Sequence, residues 1–321
     1  MKLVCLDGYC ENPGDLSWAP VADQVDEFIV YDRTEKTFAA TVERIGDADI
    51  VLTNKTPLTK EIFDACPNIK LVCCISTGYA VVDIAYAKSK GIPVCNVPIY
   101  GVASVSQFTI ALLLEACHHI GYHNDTVHAG KWETCIDFCY ADYPQIELEG
   151  LTMGIIGLGN IGRHTAAIAG ALGMKVIAYD EWQNDKGREL ATYVDLDTLL
   201  AESDVITIHM PLLPSNTNLF RKEIFDKMKD GVIFINPSRG KMVNEQDLKE
   251  ALESGKVKYA CLDVVSTEPI KADNVLKGVK NCIITPHMAW LGDGSRRRIL
   301  NTTADNVKAF LAGAPQNVVN P

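Results

Sequence analysis

Residues 157–162 read Gly157-Leu158-Gly159-Asn160-Ile161-Gly162, and no other stretch constrains the fold as strongly. Glycine triplets at this spacing arise by chance, so the flanking sequence decides their meaning. The β-rich run Met153 to Ile156 leads directly into the first glycine. A segment of small residues (Ala166, Ala167, Ala169, Gly170, Ala171) follows the last, and the apolar run Lys175 to Tyr179 ends at Asp180. Strand, glycine turn, helix and a second strand closed by an acid make up the βαβ unit that binds dinucleotides. The glycines, with Asn160 and Ile161, bring backbone N–H groups to a pyrophosphate at the positive end of the helix. Asp180 is expected to accept hydrogen bonds from the adenosine ribose. Together with Glu181 it would repel a 2′-phosphate, so the expected cofactor is NAD rather than NADP.

Short β-rich runs alternate with helical stretches over most of the chain. A first series holds Leu3 to Leu6, Phe28 to Tyr31, Ile50 to Leu52, Leu71 to Ile75 and Val94 to Val97, with Leu58 to Cys66 and Val82 to Lys90 between them. A second holds Gly154 to Ile156, Lys175 to Tyr179, Val205 to His209, Val232 to Asn236, Tyr259 to Val264 and Cys282 to Thr285. Strand–helix alternation of this kind predicts an α/β fold of two doubly wound parallel-sheet lobes. Residues 1–99 and 290–321 are assigned to one domain and 100–289 to the other. Ser104 to Ile120 is too long for a strand and reads as a buried connecting helix, residues 121–150 lack periodicity, and a last helix from about Gly294 to Leu311 is expected to return to the first lobe.

Composition narrows the classes further. The 30 Lys and Arg against 41 Asp and Glu give a net charge of −11, which disfavours a nucleic-acid partner. The longest basic run, Arg296-Arg297-Arg298, lies in the last helix. No apolar run approaches the roughly 18 residues that span a bilayer, and an acid, Asp7, interrupts the N-terminus before a signal-peptide core forms. The 11 cysteines, an odd number scattered through apolar runs, fit reduced core thiols and a cytoplasmic protein.

Three further segments end predicted strands, where open α/β sheets place their ligands: Asn236-Pro237-Ser238-Arg239-Gly240, Asp263-Val264-Val265-Ser266-Thr267-Glu268-Pro269, and Thr285-Pro286-His287-Met288-Ala289-Trp290. From Ser76-Thr77-Gly78 through the fingerprint to His287, the chain closely resembles the D-isomer-specific 2-hydroxyacid dehydrogenases. The Trp after the His, the stretch Gly101 to Gly121 with Cys117-His118-His119, and Tyr143-Pro144-Gln145-Ile146-Glu147-Leu148 resemble the glycerate dehydrogenase (hydroxypyruvate reductase) branch. The resemblance implies a flavodoxin-like substrate domain, a Rossmann NAD-binding domain, and a homodimer whose arm is about residues 121–150. It places the active site in a cleft between the lobes.

The chemistry accounts for the residue types. A 2-oxo acid offers a carboxylate and a carbonyl, and Arg239 supplies a planar fork of donors for them. Hydride arriving at C2 leaves an alkoxide that needs a proton donor. His287 fits that task, and Glu268 can orient it and favour its charged form. Arg239, Glu268 and His287 are therefore the expected catalytic set, with Arg239 and His287 also bordering the cofactor. By resemblance, the backbone amides of Thr77 and Gly78 bind the substrate carboxylate, Pro237 and Ser238 line the cofactor, and Met210 borders it after another strand. Asp263 matches the residue that binds the nicotinamide carboxamide, with helix capping as its alternative. Trp290 either closes over a small substrate or fills the core.

His119 with His123, and Cys135 with Cys139, have spacings that would admit zinc. The resemblance assigns them to the arm and the core without a metal. The expected substrate pair is hydroxypyruvate and D-glycerate. Phosphoglycerate dehydrogenase is the enzymatic alternative, disfavoured because Ser76 to Asp83 carries no basic residue and the chain ends at Pro321 without an appended regulatory domain. An NAD-sensing corepressor that binds other proteins is the alternative of another class. Ser106-Gln107 and Gly292-Asp293-Gly294 depart from the family pattern, and the latter is expected to loosen a pocket wall.

Overall fold

The computed structural model describes residues 1–321. They form two compact units, Met1–Tyr100 with Leu291–Pro321, and Gly101–Trp290. The first unit contains strands β1 (Lys2–Cys5), β2 (Glu27–Val30), β3 (Ile50–Thr53), β4 (Leu71–Cys74) and β5 (Val94–Cys95). They pair in parallel in the order β2-β1-β3-β4-β5, the flavodoxin-like arrangement whose order reverses between β1 and β3. Every residue of β3 and β4 is buried, as expected of central parallel strands covered on both faces.

The second unit contains β6 (Thr152–Ile156), β7 (Lys175–Tyr179), β8 (Thr192–Tyr193), β9 (Val205–Ile208), β10 (Val232–Asn236), β11 (Val257–Leu262) and β12 (Cys282–Ile284). Their order is β12-β11-β10-β9-β6-β7-β8, again parallel, with the reversal between β6 and β9. Alternate residues feed two cores. Met153, Ile155, Val205, Ile233 and Ile235 join one cluster, whereas Ile156, Ile206, Ile208, Val232 and Phe234 join the other. This is the period-2 rule acting on fully buried strands. The two-residue β8 escaped the sequence reading because Thr192–Tyr193 is too short to show a period.

One expectation is corrected. The helix read as Ser104 to Ile120 runs Val102–His118 and stops at His119, whose backbone is left-handed (φ 48°); a second helix, Ile120–His128, occupies part of the stretch that lacked periodicity. The His119 ring explains the break. It is buried, stacks on Tyr143 at 4.0 Å and meets the Tyr259 hydroxyl at 3.0 Å, contacts that offset the roughly 1–2 kcal/mol cost of a left-handed residue. The last helix, expected from about Gly294 to Leu311, runs Asp293–Leu311 with Gly292 as its N-cap. In that helix Arg296 is buried and makes a two-pronged pair with Asp15, both contacts at 2.7 Å.

Candidate active site

Within Gly101–Trp290, the fingerprint lies at the C-terminal end of β6, at the point of reversal. Gly157 has φ +94°, and a Cβ there would sit 2.9 Å from the backbone of His209 and Met210, so the turn requires glycine. A Cβ on Gly162 would overlap the Gly157 carbonyl, and one on Gly159 would meet nothing within 4 Å. The first glycine thus permits the turn, the third the close seating of the helix Asn160–Ala171, and the second leaves open space before its N-terminus. That space beside unpaired N–H groups fits a dinucleotide pyrophosphate.

Asp180 closes β7 and holds the turn from outside. Its Oδ2 accepts from the Leu158 N–H at 2.6 Å and its Oδ1 from the Trp182 N–H at 2.8 Å. Each oxygen retains acceptor capacity for a ribose hydroxyl. Met210 follows β9 and is half-buried against the second core. Its neighbour His209, not singled out in the sequence, has a buried Nδ1 without a partner, and burial pushes its pKa down to about 3. His209 is therefore neutral beside the fingerprint.

The loops after β10, β11 and β12 carry the remaining groups. After β10, Asn236 organises the turn: its Oδ1 accepts from the Ser238 N–H at 3.0 Å and its Nδ2 donates to the Arg239 carbonyl at 3.0 Å. The Ser238 hydroxyl donates to the Ile208 carbonyl at 2.7 Å, tying β10 to β9. Pro237 is buried and the Arg239 side chain is exposed, with Nη1 donating to the Ser238 carbonyl at 2.7 Å. A Cβ on Gly240 would overlap the Val265 backbone, so only glycine lets the arginine turn abut the loop that bears Glu268.

Glu268 and His287 meet there. Glu268 Oε1 accepts from the Val265 N–H at 3.2 Å, and Oε2 lies 2.6 Å from His287 Nδ1. A carboxylate only accepts, so Nδ1 carries the proton and Nε2 is left to face a reactant. The pair is about one-third exposed, at 35% for His287 and 37% for Glu268, accessible to a small molecule while shielded on one side.

Asp263 explains how His287 is held. It is fully buried at the end of β11 and serves neither a helix cap nor an open surface. Its Oδ1 accepts from the Thr285 hydroxyl at 2.7 Å and the Met288 N–H at 2.9 Å, and its Oδ2 from the Ala289 N–H at 2.9 Å. The His287 N–H donates to the Asp263 carbonyl at 2.8 Å and His287 sits at φ +52°, a strained conformation that persists only because its surroundings fix it. Burial raises the Asp263 pKa, and the three donors oppose that rise. Being 0% exposed, the Asp263 carboxylate offers no open face for the nicotinamide contact expected from resemblance. Trp290 is half-buried, its Cβ near Gly101 at the start of the long helix.

Glu245 was missed by the sequence reading. It opens the helix Glu245–Glu253 and accepts from the Ser266 N–H at 2.7 Å and Asn274 Nδ2 at 2.8 Å, bracing the Glu268 loop from behind. An acid in a helix's first turn is so common that sequence gave no signal of this task.

In the other unit, Thr77 and Gly78 follow β4 and are exposed. The Thr77 hydroxyl donates to the Val97 carbonyl at 2.9 Å and Asn96 Nδ2 to the Thr77 carbonyl at 2.9 Å, leaving the two backbone N–H groups turned to other uses. The loop after the adjacent strand β3 carries an exposed lysine, Lys55, at the same end of the sheet.

Two of the four residues of the zinc alternative, His123 and Cys135, are engaged elsewhere. His123 Nδ1 donates to the His119 carbonyl at 2.8 Å, its Nε2 accepts from the Asp142 N–H at 3.1 Å, and Cys135 Sγ contacts the Lys131 carbonyl at 3.4 Å.

Residues 110–289 match the model of the D-isomer specific 2-hydroxyacid dehydrogenase, NAD binding domain. The chain belongs to the D-isomer specific 2-hydroxyacid dehydrogenase family. It is an oxidoreductase, and Gly101–Trp290 is its NAD-binding unit. The chain is 58% identical over 322 residues to a hydroxypyruvate reductase of Blautia hydrogenotrophica, covering 100% of both. It is 40% identical over 280 residues to a glycerate dehydrogenase of Methylorubrum extorquens, covering 87% of each. Among solved structures it resembles apo D-lactate dehydrogenase from Escherichia coli, with a TM-score of 0.86 at 27% identity, covering 99% of this chain and 100% of the other. No helix is long and apolar enough to cross a membrane.

Proposed function

We propose that this dehydrogenase interconverts hydroxypyruvate and D-glycerate with NADH and NAD. The observation that carries the reaction type is the 2.6 Å pair of Glu268 and His287 beside the Arg239 turn. The 58% identity with a hydroxypyruvate reductase over the whole chain supports the substrate.

Bound by the Gly157–Gly162 turn and Asp180, NADH would provide the hydride that reduction at C2 of the oxo acid requires. Arg239 binds the carboxylate and polarises the C2 carbonyl, and His287 gives the Nε2 proton to the oxygen as it gains charge. Glu268 fixes the ring through Nδ1 and stabilises the imidazolium. In the reverse direction neutral His287 takes the hydroxyl proton back. The N–H groups of Thr77 and Gly78 serve as carboxylate donors, and Asp180 accepts from the ribose.

The same reading includes a homodimer in a reducing, cytoplasmic setting. Residues 120–138 expose Ile120, Tyr122, Val127, Trp132, Ile136 and Phe138, a concentration of exposed large apolar side chains of the kind that marks interaction surfaces. All 11 cysteines are unpaired. Light scattering should return twice the chain mass, and Phe138→Asp should reduce it to one.

Oxidation of NADH with hydroxypyruvate, glyoxylate, pyruvate and 3-phosphohydroxypyruvate in parallel tests the substrate. Hydroxypyruvate should give the highest kcat/KM. Preference for the phosphorylated acid would move the assignment to phosphoglycerate dehydrogenase, with Lys55 the first cation to suspect.

A further inference from the structure

The C-terminal edge of the five-stranded sheet carries a carboxyl group that the reaction above does not use. Glu11 follows the short turn Gly8–Cys10 after β1, and it is 0% exposed. Its Oε1 accepts from Asn54 Nδ2, while Oε2 is buried with no hydrogen-bond partner. A carboxylate so placed would leave most of its lone pairs without donors in a dry site, whereas the neutral acid carries no charge to desolvate. Burial accordingly pushes the Glu11 pKa up to about 8.

The groups facing it come from every neighbouring element. Asp7, at the end of β1, adds to the rise; Asn54 and Lys55, from the loop after β3, oppose it. The thiols of Cys5 and Cys10 lie near and are pushed upward themselves, chiefly by burial. From the last helix, Arg296 touches only the Glu11 main-chain carbonyl, at 3.3 Å, and spends its guanidinium on Asp15.

What Glu11 grips is the loop beside Thr77 and Gly78. Asp7 accepts the N–H groups of Asn54, Lys55 and Thr56 at 2.7, 2.6 and 2.6 Å, and Glu11 holds the Asn54 side chain. The loop is then stitched to the 75–81 segment at both ends: the Ile75 N–H donates to the Thr53 carbonyl at 3.0 Å and the Leu58 N–H to the Val81 carbonyl at 2.8 Å. This edge is also where the strand order reverses, between β1 and β3, the position at which open α/β sheets receive ligands.

We propose that Glu11 is a positioning residue that works as an uncharged acid: it sets the Asn54–Thr56 loop beside the Thr77–Gly78 amides, and a negative charge at Glu11 weakens binding of the carboxylate substrate there. This rests on the reading of Thr77 and Gly78 as carboxylate donors and of hydroxypyruvate as substrate. The neutral acid holds Asn54 without adding to the charge of Asp7. The ionised form places a second buried anion at the edge that must accept an anionic substrate, where low dielectric strengthens the repulsion. The chemical step, carried by Arg239, Glu268 and His287, does not involve Glu11.

The test is steady-state kinetics of wild type, Glu11→Gln and Asn54→Ala with NADH and hydroxypyruvate across the neutral and alkaline range. For the wild type, KM should rise roughly tenfold between about pH 7 and pH 9, as ionisation above the Glu11 pKa predicts. Glu11→Gln keeps the partner for Asn54 without the charge, so its KM should stay flat over that range while its kcat profile overlays the wild type. Asn54→Ala should raise KM at every pH with kcat near the wild-type value. An alkaline rise that persists in Glu11→Gln, or a kcat that moves instead of KM, overturns the proposal.

Failure of the substrate assignment shows separately, as absence of turnover in all three proteins. Thermal melting then decides on Glu11 by itself. Its folded-state pKa lies above the ordinary 4.5, so its contribution to stability is complete below about pH 4.5 and is lost as pH rises to about 8. The wild-type Tm should fall relative to Glu11→Gln across that window; parallel curves would mean that Glu11 is not the neutral acid described.

Discussion

Both sheets carry, beyond a strand end, a buried aspartate that gathers three donors from a neighbouring loop, yet the two loops present different groups. Asp7, after β1, accepts three backbone N–H groups from residues 54–56. Asp263, after β11, accepts one hydroxyl and two N–H groups from residues 285–289. The loop that Asp263 holds carries a histidine that is one-third exposed, paired with a carboxylate, and able to move a proton. The loop that Asp7 holds carries an amide, and the acid gripping that amide is dry. The same anchoring device fixes geometry in both places; the two loops differ in solvent access and in having a charge partner.

The comparison breaks most visibly at the proton donor. Replacing His287 with Asn keeps the size of the ring's polar edge and removes its proton exchange, so kcat should fall about a hundred- to ten-thousandfold with NADH binding retained. A variant that turned over at near-normal rate while folded would take the chemistry away from His287.

The anchors come next. Asp263→Asn turns an acceptor of three bonds into a group that also donates, costing about 1–3 kcal/mol for each donor left unpaired; it should lower kcat by misplacing His287. Asp7→Asn should destabilise by a similar amount and raise KM instead. Kinetics with denaturant melts on both variants would check this, and a shared effect on kcat would mean that the two loops are not functionally distinct.

A smaller effect is expected from Glu245→Gln. It keeps one acceptor of the original pair and weakens the support of Ser266 and Asn274, so kcat should drop about two- to fivefold, in line with the loss of part of one charge-assisted hydrogen bond. Replacing Asp180 with Ser should narrow the preference for NADH over NADPH, because it removes the charge expected at the ribose, while the serine hydroxyl keeps an acceptor for only one of the Leu158 and Trp182 N–H groups.

The fingerprint, the parallel α/β lobes and the order of Arg239, Glu268 and His287 were legible in the sequence, because each depends on local patterns. Period-2 burial marks strands, glycines mark a turn that forbids side chains, and residues at strand ends announce themselves by the strands before them. The family resemblance placed the Arg, Glu and His roles on those positions.

What escaped were features made by groups distant in sequence. Glu11 and Asn54 carry no motif, and nothing local says that one is dry and holds the other. The tasks of Glu245 and Asp263 depend on which backbone N–H groups arrive beside them, and the break at His119 depends on Tyr143 and Tyr259. The sequence by itself determined the architecture and which side chains stand at the strand ends, since backbone conformation and burial period are set within a few residues of each position. Only the tertiary structure decided which carboxyl groups are buried, what they hold and whether they carry charge, because desolvation and hydrogen-bond partners come from the packing of the whole unit.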